Sequence, residues 1–171
     1  WMRQTLQQAE ATYVDVIVFP ALIGHFFATA KEFVTTTKEL SKKFPNILIC
    51  PGSYWEKIAE HTYHTSMVLQ NGQIIAQQRQ LYLANWEREY NLCRGDELIM
   101  FHYNNIKMAL ILSTDVFYPQ IARYSAMHGV EIVLSPIAIT EPTSYAKQLS
   151  GLWQNVQQNL FFAIESAFIG E

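Results

Sequence analysis

Lys107-Met-Ala-Leu-Ile-Leu-Ser-Thr-Asp115, continued by Val116-Phe-Tyr-Pro119, decides the reading of this chain. The apolar run Met108 to Leu112 reads as a strand, and Tyr118 to His128 reads as a helix that Gly129 stops. Ser113 therefore sits at a corner where a strand ends and a helix begins. Such corners are where α/β proteins place nucleophiles and oxyanion donors. Alone the serine means little, because a serine at a strand end is ordinarily a turn or cap residue.

Outward from this corner the pattern alternates. Val14 to Phe19 is a β-branched run stopped by Pro20, and Ile47 to Cys50 is a second short strand ended by Pro51-Gly52-Ser53. Met2 to Thr12 and Ala28 to Phe44 read as surface helices on either side of the first strand. Ser66 to Leu69 and Gln73 to Gln77 flank Asn71-Gly72, a strong signal for a tight hairpin; Leu98 to His102 and Lys107 to Leu112 flank Asn104-Asn105 in the same way. Glu131 to Leu134 reads as a buried strand ended by Pro136. Tyr145 to Asn159 carries Leu149, Leu152, Trp153 and Val156 at helical spacing and leads into the apolar stretch Leu160 to Ile164. Hairpins mixed with helical crossovers predict a layered α/β fold with mixed sheets. There is no internal repeat or linker, so residues 1–171 are expected to form a single domain.

Composition narrows the function. With 171 residues the chain is long enough for one real core. Twelve Lys and Arg against fifteen Asp and Glu leave no basic stripe for nucleic acid. Only 16% of residues are charged, while four Trp, nine Tyr and ten Phe add a large apolar payload, so part of that surface is expected to meet another subunit or segment. Cys50 and Cys93 lack metal or redox spacing and read as reduced thiols of a cytoplasmic protein, with a single bridge between them left open. No apolar run approaches the roughly 20 residues of a membrane span. The start at Trp1 and the end at Glu171, just after an apolar run, suggest a portion of a longer protein.

Four segments together resemble the nitrilase or carbon-nitrogen hydrolase superfamily, in its order and approximate spacing. Val16-Ile-Val-Phe-Pro20 resembles its first motif. Gln78-Arg-Gln-Leu-Tyr-Leu83, with Trp86-Glu87 and Gly95-Asp96, resembles its lysine motif. Lys107 to Asp115 with Tyr118-Pro119 resembles its nucleophile strand and elbow, and Gly129-Val-Glu-Ile-Val-Leu-Ser-Pro136 the strand that follows. The Trp86-Glu87-Arg88-Glu89 run looks most like the branch often fused to an acetyltransferase domain. The resemblance implies an α-β-β-α sandwich, here without the family's first strand and C-terminal strands, and a homodimer or higher homo-oligomer joined through the helices Tyr118 to His128 and Tyr145 to Asn159. No cofactor or metal is implied.

The resemblance also locates a site and shows it altered. The family sets a glutamate base, a lysine, a cysteine nucleophile and an assisting glutamate in one pocket. At the matching positions this sequence has Ala21, Gln80 and Ser113, and only Glu87 remains. A serine hydroxyl must lose its proton to a positioned base during attack, which Ala21 is not; Gln80 offers a neutral amide where a cation would hold the oxyanion. Losing members of such a unit costs on the order of 10⁴ to 10⁶ in rate. The expectation is a catalytically silent domain that binds a small amide or carboxylate or serves in assembly. The alternative is a hydrolase of amide, nitrile or carbamoyl C–N bonds with Ser113 as nucleophile and Glu87 as base, which needs the two within hydrogen-bond reach.

The remaining candidates have plainer readings. His25, just past Ala21, is a possible pocket residue or a packed histidine, and Tyr118 is a pocket candidate beside the elbow. Asp115 is expected to fix the elbow through backbone N–H groups. His61 and His64 have H-x-x-H spacing but no third ligand, and read as a loop entering the strand at Ser66. Cys50 reads as a small buried hydrophobe; Cys93 has no histidine spaced to activate it.

Overall fold

The computed structural model describes residues 1–138 and 150–168. It is a four-layer α-β-β-α sandwich, in agreement with the fold expected. One sheet contains β1 (Val16–Val18), β2 (Leu48–Cys50), β3 (Ser53–Ile58), β4 (His61–Gln70) and β5 (Gln73–Arg79). The other runs in order through β6 (Met100–Tyr103), β7 (Ile106–Leu110), β8 (Ile132–Ala138) and β9 (Phe162–Phe168). Each sheet mixes senses: β1 pairs β2 in parallel while β3, β4 and β5 pair antiparallel; β6 pairs β7 antiparallel while β7, β8 and β9 run parallel.

Period-two alternation builds the three interfaces. Leu48, Cys50 and Val68 point between the sheets toward Met108, Leu110 and Leu134. Their neighbours Ile49, Met67 and Leu69 point outward onto α1 (Met2–Ala11) and α2 (Ala30–Lys43), where Leu6 and Phe33 are buried. On the far side Ala109, Ile111 and Val133 meet Ile121 and Ala122 of α4 (Pro119–Met127) and Leu152 of α5 (Leu152–Asn159). Thr29 starts α2 by accepting the Glu32 N–H, and the Glu32 carboxylate accepts that of Ala28, just before the cap.

Both predicted hairpins form. Asn71 and Gly72 have φ of 47° and 77°, and Asn104 and Asn105 of 48° and 66°, the doubly positive pair that a two-residue hairpin turn needs. Three readings need correction. A strand, β3, follows directly after the Pro51-Gly52 turn, and β4 begins at His61 and not at Ser66. Pro136 does not end β8: pairing with β7 stops at Leu134, so the missing N–H faces no partner strand while β9 continues alongside to Ala138. A short helix, α3 (Asn85–Glu89), forms between β5 and β6, where no element is expected. Of the helix expected over Tyr145 to Asn159, the residues up to 149 lie outside the described ones. No described helix is long and apolar enough to cross a membrane.

Candidate functional site

Four backbone turns bring the site together. β1 ends at Val18 and the chain runs through Pro20 to Ala21, which has no exposed surface and packs with Leu112 and Ala138. Gly52 permits this approach: its φ is +92°, and a Cβ there would stand 2.1 Å from the Pro20 carbonyl oxygen. Beyond β7 the chain stays extended to Leu112, turns at Ser113 with φ of 50°, and forms a 3-10 turn, Ser113–Phe117, before α4. A left-handed backbone at a serine is unusual and is the strained geometry of a nucleophile elbow. The Ser113 hydroxyl donates to the Ala138 carbonyl at 3.1 Å.

Gln80 follows β5 and is fully buried. Its Nε2 lies 2.7 Å from Glu87 Oε2, 2.8 Å from Thr114 Oγ1 and 2.9 Å from the Tyr82 carbonyl. Its Oε1 is buried with no hydrogen-bond partner, a state that ordinarily costs about 1 to 3 kcal/mol. Glu87, on α3, is also fully buried. Oε2 accepts from Gln80 and from the Ala84 N–H at 2.7 Å, and Oε1 stands 2.6 Å from His64 Nδ1.

Through His64 the network reaches back to the first turn. His64 Nε2 is 2.6 Å from Ser53 Oγ, which accepts the Leu22 N–H at 2.7 Å. A consistent set of protons has Leu22 N–H donating to Ser53, the Ser53 hydroxyl to His64 Nε2, and His64 Nδ1–H to Glu87. Ser53, His64 and Glu87 all have no exposed surface. Sequence reasoning missed this line because His64 lies in the polar stretch His61 to Ser66, and only folding shows that this part of β4 is buried.

Asp115 acts through backbone N–H groups as expected, but on another segment: its carboxylate accepts from Leu81 at 3.0 Å and from Tyr82 at 2.7 Å, tying the loop after Gln80 to the elbow. Burial pushes its carboxyl up to about 7, against the pull of those bonds and with a push from Glu87. The Tyr118 ring stacks on Tyr82 at 3.9 Å. His25, on the 3-10 turn Ile23–Phe26, sets its ring 4.8 Å from that of Trp55, and partial burial and the nearby His64 hold its imidazole below the usual range. His61 and His64 cannot share a metal, since three residues along a strand put them on opposite faces, one exposed and one buried. No group of three or more potential metal ligands occurs among the described residues. Cys93 does have a histidine, brought by folding: His61 Nδ1 is 3.4 Å from its Sγ. Cys50 and Cys93 are both free, and burial pushes the Cys50 thiol up to about 11.

Ala21, Gln80, Glu87 and Ser113 thus come from four separate segments. The model of the carbon-nitrogen hydrolase family matches residues 1–165. The chain belongs to the carbon-nitrogen hydrolase family. It is 21% identical over 141 residues to the probable hydrolase YhcX of Bacillus subtilis (strain 168), a match that takes in 82% of this chain and 27% of that protein. The chain therefore spans about a quarter of the length of this curated relative. Among solved structures, the NitN amidase from Neterenkonia sp. AN1 superposes with a TM-score of 0.86 at 15% identity, over 99% of this chain and 71% of the amidase. A glutamine-dependent NAD+ synthetase from Acinetobacter baumannii superposes with a TM-score of 0.81 at 15% identity, over 99% of this chain and 34% of that one. A variant of the amidase from Nesterenkonia sp. AN1, solved with butyramide, has a TM-score of 0.86 at 15% identity over 99% and 69% of the two chains. These likenesses establish the carbon-nitrogen hydrolase fold; chemistry has to be argued from this chain's own residues.

Proposed function

We propose that this carbon-nitrogen hydrolase domain does not hydrolyse and works as a ligand-binding or assembly module. The observation that carries the reading is the commitment of the two groups that would react. Glu87 already accepts from His64, Gln80 and Ala84, and the Ser113 hydroxyl points its proton at the Ala138 carbonyl. Ala21 supplies no base in their place, and Gln80 supplies no positive charge for an oxyanion. The loss corresponds to roughly 5 to 8 kcal/mol of barrier. Neutral hydrogen-bonding groups that fail to catalyse still suffice to bind, and the butyramide complex of the Nesterenkonia amidase variant makes a small amide a natural first ligand to try.

An assembly role draws on the outer helices. Tyr124 and Met127 on α4 and Trp153 on α5 are 51%, 71% and 60% exposed, a large apolar group of side chains on one helical layer. We read this layer as the face through which copies of the chain associate.

Hydrolysis by Ser113 with Glu87 as base is the second reading, favoured by the retained left-handed backbone at Ser113. It requires Glu87 and Ser113, now bonded to other partners, to be brought into contact with each other. The two readings separate in an assay of ammonia release from amides, nitriles and N-carbamoyl compounds, run on the full chain beside the triple variant Ala21→Glu, Gln80→Lys, Ser113→Cys. The expected outcome is silence from the unaltered protein and turnover by the triple variant.

A further inference from the structure

Cys93 and His61 are 32 residues apart in the chain, and folding sets their side chains together. Cys93 lies in the segment between α3 and β6, and His61 is the first residue of β4. The backbones are joined: Cys93 N–H donates to the Thr62 carbonyl at 2.7 Å, and Cys93 forms a parallel bridge with Tyr63. The residues beside Cys93 are tied as well, Leu92 N–H to the Glu87 carbonyl at 3.0 Å and Gly95 N–H to the Gln80 carbonyl at 2.8 Å. The approach of Cys93 Sγ to His61 Nδ1, at 3.4 Å, is therefore held by the fold on both sides.

Both groups reach solvent. His61 is exposed and Cys93 partly so, whereas Cys50 has no exposed surface and burial pushes its thiol up to about 11. Among the described residues no carboxylate hydrogen-bonds to His61, which leaves its Nδ1 lone pair to the thiol. The Tyr63 ring stands 6.3 Å from that of His61, with the Arg79 guanidinium 4.4 Å from the Tyr63 ring and paired with Glu56; Glu60 and Arg94, the chain neighbours of the pair, are exposed. A thiol reacts as its thiolate, and an imidazole with its own proton on Nε2 is a base in contact with the Sγ proton.

We propose that Cys93, with His61 as its base, is a modification site that forms a mixed disulfide with small disulfides such as glutathione disulfide. The Cys93 proton passes to His61 Nδ1 and the thiolate attacks one sulfur of the small disulfide. A bond forms from Cys93 Sγ to that sulfur as the original S–S bond breaks, and the second half leaves as a thiolate that takes up a proton from water. Cys93 is oxidised and the departing sulfur is reduced, so no further oxidant is needed. The inference holds whether or not Ser113 reacts.

The test incubates the full chain with glutathione disulfide and follows adducts by intact-mass spectrometry and peptide mapping. One adduct per chain is expected, on the peptide that carries Cys93, and none with Cys93→Ser. At about pH 7 roughly 3% of an ordinary thiol is ionised, so a base raises the reactive fraction by at most about 30-fold; a thiolate that forms more readily is also a weaker nucleophile, which leaves a net gain of about threefold. His61→Gln is therefore expected to slow the adduct about threefold at this pH, the gap closing as alkaline pH ionises the thiol in both chains, while a silent Cys50 reports that the variant is folded. If His61→Gln does not fold, a peptide of residues 90–96, which carries Cys93 without His61, takes its place as the slow reference. Adducts on Cys50 in place of Cys93, no adduct at all, or equal rates with and without His61 would each overturn the proposal.

Discussion

Glu87 accepts three hydrogen bonds with no exposed surface, and each of those bonds holds a different part of the chain: β4 through His64, the end of β5 through Gln80, and the start of its own helix through Ala84. Removing one partner leaves a buried charge short of a donor. His64→Ala is therefore expected to destabilise the fold by about 3 kcal/mol or more, read as a lower urea midpoint at unchanged slope. Asp115 predicts a pH effect. Its carboxyl is raised from 3.8 to about 7 on folding, so between those values the folded chain holds a proton that the unfolded chain releases. The stability Asp115 contributes is fully present below about pH 3.8 and is lost as pH rises toward 7. Asn at this position keeps an acceptor for Leu81 and Tyr82 and cannot titrate. Melting the two proteins across this range should show Asp115→Asn gaining on the unaltered chain as pH rises; parallel curves would contradict the assignment. None of this was legible residue by residue, because a buried histidine on a polar strand end gains its meaning only from Ser53 and Glu87, which lie 11 and 23 residues away.

Elements whose signal is local were readable, and those defined by partners were not. The Asn-Gly and Asn-Asn turns fixed both hairpins, since two successive positive φ values are a requirement that few residue types meet. Strand β3 escaped because Ser53-Tyr-Trp-Glu-Lys-Ile58 has no clean alternation; Ser53 and Tyr54 are buried only because β4 and the Ile23–Phe26 turn cover them. The same contrast explains Pro136, which a sequence reads as a strand end and the sheet tolerates where β7 has stopped. Gly52 is the element-scale residue with most at stake. It joins β2 to β3 in a left-handed conformation under the Pro20 carbonyl, and so sets where Ala21 and Leu22 lie. Gly52→Ala should cost at least about 1 kcal/mol in thermal or urea unfolding, from backbone strain alone.

At the scale of the molecule, the sandwich and its mixed sheets were legible because four motifs keep their order and because strands alternate between two interfaces. Chemistry enters only through the resemblance, which matches Ala21, Gln80 and Ser113 to the family's glutamate, lysine and cysteine. Folding adds the reason they form a stable set: Gln80 and His64 take up the carboxylate of Glu87, and the elbow that still bends at Ser113 gives its hydroxyl to Ala138. These internal hydrogen bonds are what the proposed reading as a ligand-binding or assembly module rests on. The central claim is that Ser113 does not act as a nucleophile. The measurement that tests it most directly is ammonia release from the amide, nitrile and N-carbamoyl panel by the full chain, compared with the same chain carrying Ser113→Ala. Equal, background-level release from both is the predicted result, and turnover by the unaltered chain that disappears with Ser113→Ala would contradict it.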